Sequence, residues 1–244
     1  MSTYAIIPSG GVGKRINSSL PKQYVKIKGK ELIAYTLEIF EKCELIDKII
    51  ISAQPEYNSL LQEIKSKYKI SKLFKIVEGG KERQDSVFNA LCKINANNND
   101  IVIVHDAARP LLPIKILEEA IQKAKIFDNV IVATKATDTL VSGVEFVDSY
   151  INRNSTYHVQ TPQISRYNIL MDAMKLAIET NFIGTDESSL LHRASNKIKI
   201  VEGSSLNFKI TTDAELDLFK IISDIERYLF KKNQILVTLN KFQG

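Results

Sequence analysis

Residues 8–15 read Pro-Ser-Gly-Gly-Val-Gly-Lys-Arg and follow the short apolar run Tyr4-Ala5-Ile6-Ile7. Glycine lets a backbone approach a ligand closely, so the N–H groups of Gly10, Gly11 and Gly13 can be brought to phosphate oxygens. Lys14 and Arg15 follow directly and Lys22 a little later; Arg15 and Lys22 are the two cations read as placed for a ligand. The ring of Pro21 fixes the chain immediately before the second of them. Backbone donors with two placed cations suit a triphosphate. A Walker loop is excluded, because it needs Gly where this chain has Pro8 and Ser or Thr where it has Arg15. A dinucleotide fingerprint is excluded as well, because Ile16 stands at the third glycine position. For the loop taken alone, a glycine-rich turn with solvated cations is the plainer alternative. A second chemical group is Asp106, at the end of the apolar run 100–107. A carboxylate there is costly unless it is paired or bound to a metal, and Arg109 is the alternative partner. No nucleophile-plus-histidine arrangement is present. His105 reads as a packed structural residue rather than a base.

The elements that must carry these groups follow from hydrophobic period. Continuous Val/Ile runs predict strands at 4–7, 48–53, 74–77, 100–107, 130–134 and 197–203. Between them, apolar residues at helical spacing predict helices: Ile33, Leu37 and Phe40 within 31–43; Leu60, Ile64 and Tyr68; Val87, Leu91 and Ile94; Leu117, Ile121 and Ala124; and a further helix over 166–180. Thr212 and Glu215 have capping-box spacing before a last helix reaching about Phe230. The alternation implies an α/β fold: a Rossmann-like, mostly parallel sheet with helices on both faces. Such sheets bind ligands at the carboxyl ends of their strands, where the glycine loop and Asp106 fall. The rhythm breaks at 138–160. That segment is expected either as a protruding β-arm or as a surface hairpin folded back on the body. Residues 1–244 are expected to form one domain.

Composition bounds the rest. At 244 residues the chain can bury one substantial core, and 44% hydrophobic with 25% charged residues is ordinary for a globular protein. The net charge of +5 comes from scattered cations, which suits a small anionic substrate and argues against nucleic acid. No apolar run reaches membrane-helix length, and the start of the chain lacks secretion-signal character, so no membrane partner and a cytoplasmic location are expected. Cys43 and Cys92 read as buried free thiols, and the three histidines lack metal-ligand spacing.

Six blocks occur in order: GGVGKR…LPKQY, GGKERQDSV (79–87), VHDAARPL (104–111), RNSTYHVQTPQ (153–163), TDESS (185–189) and EGSSLNFKITT (202–212). Together, over about residues 4–220, they resemble the 2-C-methyl-D-erythritol 4-phosphate cytidylyltransferase family of non-mevalonate isoprenoid synthesis. The resemblance implies a nucleotidyltransferase that joins CTP to the polyol phosphate and releases pyrophosphate, with Mg²⁺ as cofactor. It implies Arg15 and Lys22 as transition-state-stabilising cations, and Arg153 and Lys209 as the residues positioning the polyol phosphate. Ser9, Gly10, Gly11, Gly13, Lys22, Gly80, Ser86, Asp106, Ala107 and Lys209 would hold the nucleotide. Asp106, Arg109, Arg153, Thr161, Thr185 and Lys209 would face the polyol phosphate, and Asp106 the metal. Asn207 would brace the Lys209 loop. The 138–160 arm would embrace a second subunit, giving a homodimer in which Arg153 completes the partner's site. The sister family, ribitol-5-phosphate cytidylyltransferase, shares most blocks. HDAARP and TDESS lean to the methylerythritol enzyme, whereas SGGVG, Val141 and YINR are neutral or lean away, so the polyol stays open here. A non-catalytic nucleotide-binding regulator on the same scaffold is the alternative from another class.

Overall fold

The computed structural model describes residues 1–11 and 20–225. Its strands are β1 (Thr3–Pro8), the two-residue pair β2 (Lys26–Ile27) and β3 (Lys30–Glu31), β4 (Lys48–Ala53), β5 (Leu73–Glu78), β6 (Ile101–Val104), β7 (Val130–Lys135), β8 (Leu140–Gly143), β9 (Val147–Ile151), β10 (Tyr157–Arg166) and β11 (Lys199–Glu202). The helices are α1 (Leu32–Lys42), α2 (Asn58–Lys67), α3 (Arg83–Lys93), α4 (Ile114–Phe127), α5 (Tyr167–Glu179) and α6 (Glu187–Arg193); residues 213–225 are also helical. Seven strands form the main sheet in the order β11-β7-β10-β6-β1-β4-β5. Only β10 runs against its neighbours, β6 and β7. The chain leaves β1 toward β4 and β5, then returns to β6 on the other side of β1. That reversal opens a crevice at the carboxyl ends of the strands.

Alternation along each strand divides the core in two. Ala5 and Ile7 of β1, with Ile101 and Ile103 of β6, pack against Leu37 and Phe40 of α1, Leu61 of α2 and Ile121 of α4. Tyr4 and Ile6, with Val102 and Val104, pack on the other face against Val87 and Leu91 of α3, Leu170 and Met174 of α5 and Leu191 of α6. Both faces are covered, so both sets of side chains are apolar. A third cluster joins Ile27, Leu32, Ala108, Ile210, Leu216 and Phe219 and seats the last helix beside the crevice.

Three expectations are corrected. The 138–160 segment is not all arm: β8 and β9 form a separate two-stranded hairpin with exposed Val144, Phe146 and Tyr150, but Tyr157 onward is a central strand of the sheet. β10 escapes a hydrophobic-run criterion because Gln160, Thr161, Gln163 and Ser165 are polar and buried, each hydrogen-bonded to a neighbouring loop or strand. Pro162 sits within the register irregularity between Val159 and Gln163, where a missing N–H is tolerated. The second correction is α6, which periodicity over seven residues could not reveal. The third is Cys92, which is exposed on α3 next to buried Leu91, while Cys43 is buried as expected.

The helix over 213–225 begins as its spacing predicts, and its expected end near Phe230 lies outside the described residues. The Glu215 carboxylate accepts hydrogen bonds from the N–H groups of Thr211 (2.6 Å) and Thr212 (2.8 Å), and Glu215 N–H donates to Thr212 Oγ1 (3.3 Å). Burial raises the Glu215 pKa, but these hydrogen bonds outweigh it and lower the value overall. Glu215→Ala should therefore destabilise the fold by about 1 kcal/mol near neutral pH. Because a lowered carboxylate pKa gives stability that is lost as pH falls through it, the difference from the parent should shrink in acid. Urea midpoints at pH 7 and pH 4 check both statements; equal midpoints at pH 7 would show that the cap contributes nothing.

Candidate active site

A cleft of ≈ 370 Å³ opens at the carboxyl ends of β1, β4, β5 and β6. Its walls include Ser9, Gly10 and Gly11 after β1, Gln54 after β4, Gly80 to Arg83 after β5, Asp106 and Ala107 after β6, and Lys22, Ser86 and Lys209.

The glycine loop is held from beneath by the turn that carries Lys22. Pro21 leads into a single 3-10 turn, Lys22–Tyr24, whose second and third residues are buried. Gln23 Nε2 donates to the carbonyls of Ser9 (2.7 Å) and Gly11 (3.0 Å), so the backbone is fixed on both sides of Gly10. Ser9 Oγ donates to the Tyr24 hydroxyl (2.9 Å), and Tyr24 stacks on Tyr57 at 4.4 Å. Burial pushes the Tyr24 pKa up to about 12, so its hydroxyl stays protonated and available to this network. With its two neighbours buried and bonded, Lys22 is left facing the cleft.

The opposite wall is the start of α3. Glu82 and Asp85 form a capping box there. Ser86 Oγ accepts from Gly80 N–H (2.9 Å) and donates to the Glu82 carbonyl (3.1 Å). A Cβ on Gly80 would lie 2.1 Å from Asp85 Cβ and 2.9 Å from its carbonyl carbon. Backbone at that distance cannot yield, so only glycine lets the loop pack on α3. A Cβ on Gly10 would meet Ser86 Oγ at 3.3 Å and Gln54 Nε2 at 3.7 Å. The two glycines thus let the loops pack closely on α3 along the cleft wall.

Asp106 is buried in the β6 wall of the cleft. Arg83 Nε donates to its Oδ1 (3.1 Å), while Lys209 Nζ (2.9 Å) and Arg109 Nε (3.5 Å) meet Oδ2. Burial pushes its pKa up, but Arg83 foremost, with Lys209 and Arg109, outweighs that and holds the carboxyl well below the usual range. Arg83 is itself gripped by Glu187: Nη1 and Nη2 donate to the two carboxylate oxygens at 2.7 and 3.0 Å. The cluster Glu187–Arg83–Asp106 with Arg109 and Lys209 contains two carboxylates and three cations, leaving one positive charge in excess beside the cleft. The loop bearing Lys209 is braced as expected: buried Asn207 donates to the Thr161 carbonyl (2.8 Å), and its own carbonyl accepts from Arg109 Nη1 (2.7 Å).

Thr161 Oγ1 accepts from the N–H of Asp106 (3.1 Å) and meets His105 Nδ1 at 3.0 Å. The other ring nitrogen, Nε2, lies 3.1 Å from the Arg109 carbonyl, which can only accept, so the proton is assigned to Nε2 and the Thr161 hydroxyl donates to Nδ1. His105 is fully buried against Phe40 and serves as a structural brace. Thr161, buried and bonded internally, supports Asp106 rather than lining the cleft.

Of the site residues expected from sequence, the fold gathers Ser9, Gly10, Gly11, Lys22, Gly80, Ser86, Asp106, Ala107 and Lys209 around the cleft, with Arg109 behind Asp106. Gly13 and Arg15 lie outside the described residues. Arg153 is exposed in a turn at the base of the hairpin, where Nη1 donates to the Thr137 carbonyl (3.2 Å); it does not line the cleft of its own chain. Thr185 is also exposed, just ahead of the Asp186–Ser189 capping box of α6. Arg83, Glu187, Gln23 and Gln54 were not singled out from the sequence. The first three lie inside the sequence blocks already quoted, but their partners are apparent only in three dimensions.

A model of the IspD family, 2-C-methyl-D-erythritol 4-phosphate cytidylyltransferase, matches residues 3–224. Proteins of that name from Clostridioides difficile and Geobacillus kaustophilus are 37% and 35% identical to the chain. The first match covers 91% of this chain and 94% of the relative, the second 88% and 94%. The crystal structure of the Francisella tularensis protein of that name superposes with a TM-score of 0.77 at 33% identity, covering 89% of this chain and 98% of the other.

Burial pushes the His105 pKa down to about 4, helped by the charges of Arg109 and Arg83 and opposed by the hydrogen bond to the Arg109 carbonyl and by the Asp106 carboxylate. An unfolded histidine titrates near ~6.5, so the unfolded chain takes up the proton first as pH falls. From this group the native state should lose about 3 kcal/mol between pH ~7 and ~4, with the Asp106 contribution beginning to fall away only below about pH 5. His105→Gln should flatten that slope, as read from denaturation free energies at several pH values. Identical slopes in the two proteins would mean that His105 is not held neutral in the native state.

Proposed function

The chain belongs to the IspD, 2-C-methyl-D-erythritol 4-phosphate cytidylyltransferase, family, and from that premise we propose that it converts CTP and 2-C-methyl-D-erythritol 4-phosphate to 4-CDP-2-C-methyl-D-erythritol and pyrophosphate. The observation that carries this reading is the convergence, in one cleft, of a braced glycine loop, Lys22, Lys209 and a cation-saturated Asp106. The two serines lining that cleft, Ser9 and Ser86, bond a tyrosine hydroxyl and backbone groups, not a histidine. A transfer in which the substrate supplies its own nucleophile requires no such pair.

An oxygen of the acceptor's phosphate attacks the α-phosphorus of CTP. The new O–P bond forms as the bond to the bridging β-oxygen breaks, and the electron pair leaves on pyrophosphate. Both reactants are anions, so the protein's part is alignment and charge stabilisation. Gly10 and Gly11 bring backbone donors to the triphosphate, and Lys22 meets the charge that develops as pyrophosphate departs. Arg15 joins Lys22 in this role on the sequence resemblance. The wall formed by Gly80 and Ser86 receives the cytosine and ribose. Lys209 and Arg109 meet the acceptor phosphate from the Asp106 side, with Thr185 near the polyol.

The donor set fits Mg²⁺ carried mainly by phosphate oxygens and water, the usual manner for this ion. Asp106 is the buried carboxylate lining the cleft, and no cluster of three His, Cys, Asp or Glu side chains among the described residues could form a protein cage. Asp106 would supply its one protein oxygen by exchanging a cation partner. When bound, the ion would neutralise charge on the triphosphate and on departing pyrophosphate.

Assembly belongs to the same proposal. The hairpin exposes Val141, Val144, Phe146, Val147, Tyr150 and Ile151, an apolar surface that pairing with a twofold mate would cover. Arg153 at its base would then enter the partner's cleft. No helix among the described residues is long and apolar enough to cross a membrane.

Pyrophosphate release should be seen with CTP plus methylerythritol phosphate, and at least about 10-fold less with ribitol phosphate or a purine triphosphate, the scale of a mismatched pocket. A preference for ribitol phosphate would overturn the polyol assignment, and equal use of ATP the assignment of the Gly80–Ser86 wall. Lys22→Ala alone should lower kcat about 10²-fold, the scale of losing one preorganised charge donor. Mixing Lys22→Ala chains with Arg153→Ala chains should restore activity on subunit exchange, since one site of each mixed pair is then intact. No recovery despite proven exchange would show that Arg153 does not serve a partner.

A further inference from the structure

Arg83 is the one cation of the Asp106 cluster that the sequence resemblance left without a role, yet it makes the most exacting contacts. It sits on the first turn of α3, in the wall assigned to the nucleotide. Its guanidinium spans two carboxylates that belong to other parts of the fold: Asp106 after β6, through Nε, and Glu187 at the start of α6, through both terminal nitrogens. Glu187 is buried, and both its oxygens are engaged by Arg83. A fork-to-fork pair fixes the plane of the guanidinium, which a single ammonium contact does not. Two nitrogens are therefore locked by Glu187, and the third is aimed at Oδ1 of Asp106. Lys209 and Arg109 share the other oxygen, Oδ2. Arg83 thus decides how the carboxylate is turned, and the carboxylate decides where Lys209 waits.

Resting on the cytidylyl-transfer reading above, we propose that Arg83 is a positioning residue for the acceptor half of the reaction, and that Glu187 acts only by orienting Arg83. Three pieces of the chain meet through this pair: the nucleotide wall at α3, the acceptor side at Thr185 and α6, and the Lys209 loop. The polyol phosphate would find Lys209 and Arg109 already aligned because Asp106 cannot rotate. The nucleotide would rest mainly on the glycine loop, Gly80 and Ser86, whose hydrogen bonds involve neither Arg83 nor Glu187, and would feel the pair only through Asp106 and Lys209, so its binding should be disturbed less than the acceptor's.

Arg83→Gln leaves Glu187 buried without a partner, so the paired variant Arg83→Gln/Glu187→Gln, which removes both charges at similar volume, is the better probe. Its melting temperature and CTP titration give the integrity of the fold and the nucleotide site. Steady-state rates with varied methylerythritol phosphate give the acceptor half. In the paired variant kcat/KM for the acceptor should fall at least about 10-fold, the order of cost of misplacing a reacting group, while KM for CTP stays within about threefold. Arg83→Lys, which keeps the charge and loses the fork, should recover little of the loss. Glu187→Gln should add nothing once Arg83 is gone. Parental acceptor kinetics in a folded paired variant would overturn the inference, as would full rescue by Arg83→Lys or losses that multiply in the paired variant. If the parent protein itself does not release pyrophosphate from CTP and this acceptor, it is the functional reading that fails, and the two failures are thereby told apart.

Discussion

A single carboxylate organises the catalytic end of this protein. Asp106 is carried to the end of β6, where solvent is excluded on most sides, and an isolated charge there would be prohibitively expensive. Three cations from three places in the chain offset that cost: Arg83 from α3, Arg109 three residues on, and Lys209 from the loop before the last helix. Each gains a fixed position from the bargain with Asp106. The surrounding braces serve the same end. Thr161 holds the backbone of Asp106, His105 holds Thr161, and Asn207 holds the Lys209 loop against β10. The arrangement is thus a positively biased cleft built around a negative centre, which is what two anionic reactants require if neither is to be repelled.

The same constraint explains why, among the described residues, the cleft lacks the usual apparatus of acid–base catalysis. The one nearby histidine is buried, neutral and bonded at both nitrogens. The two serines of the cleft are tied into loop architecture. What varies along the cleft is charge and backbone shape rather than proton affinity. Glycines at 10 and 80 set that shape by what they omit, since a methyl group at Gly80 would collide with the backbone of α3.

Much of this was legible in the residues. The parallel strands announced themselves because both faces of the sheet are covered, leaving runs such as Ile49-Ile50-Ile51 and Ile101-Val102-Ile103-Val104 without polar alternation. The glycine loop, Lys22, Asp106 and Lys209 could be named from their blocks, and the fold brings the described ones together. β10 was hidden by its own bonding: buried Thr161 and Gln163 hold the Asp106 and α6 loops, Gln160 the loop before Lys209, and Ser165 Asn129, so it reads as a polar stretch. Arg83 and Glu187 were hidden differently. They lie 104 residues apart, and no local pattern reveals that two ordinary-looking charges share a buried fork. The hairpin was visible as a break in rhythm, but its length was overestimated because the central strand that follows shares its polarity.

The place of β10 in the sheet bears on how the chain comes to be folded. β1, β4, β5 and β6 are contiguous in the first half of the sequence and adjacent in space, so they can associate as they leave the ribosome. β6 would then present an open edge, and Asp106 at its tip would have only Arg83 and Arg109 beside it. Closure waits for β10 to insert between β6 and β7, more than fifty residues later in the chain, and for Lys209 after it. Such long-range pairings carry a loop-closure cost before they are rewarded. The nascent first half is therefore a partial sheet with an adhesive edge, and the Asp106 cluster is complete only once the chain has been made as far as Lys209.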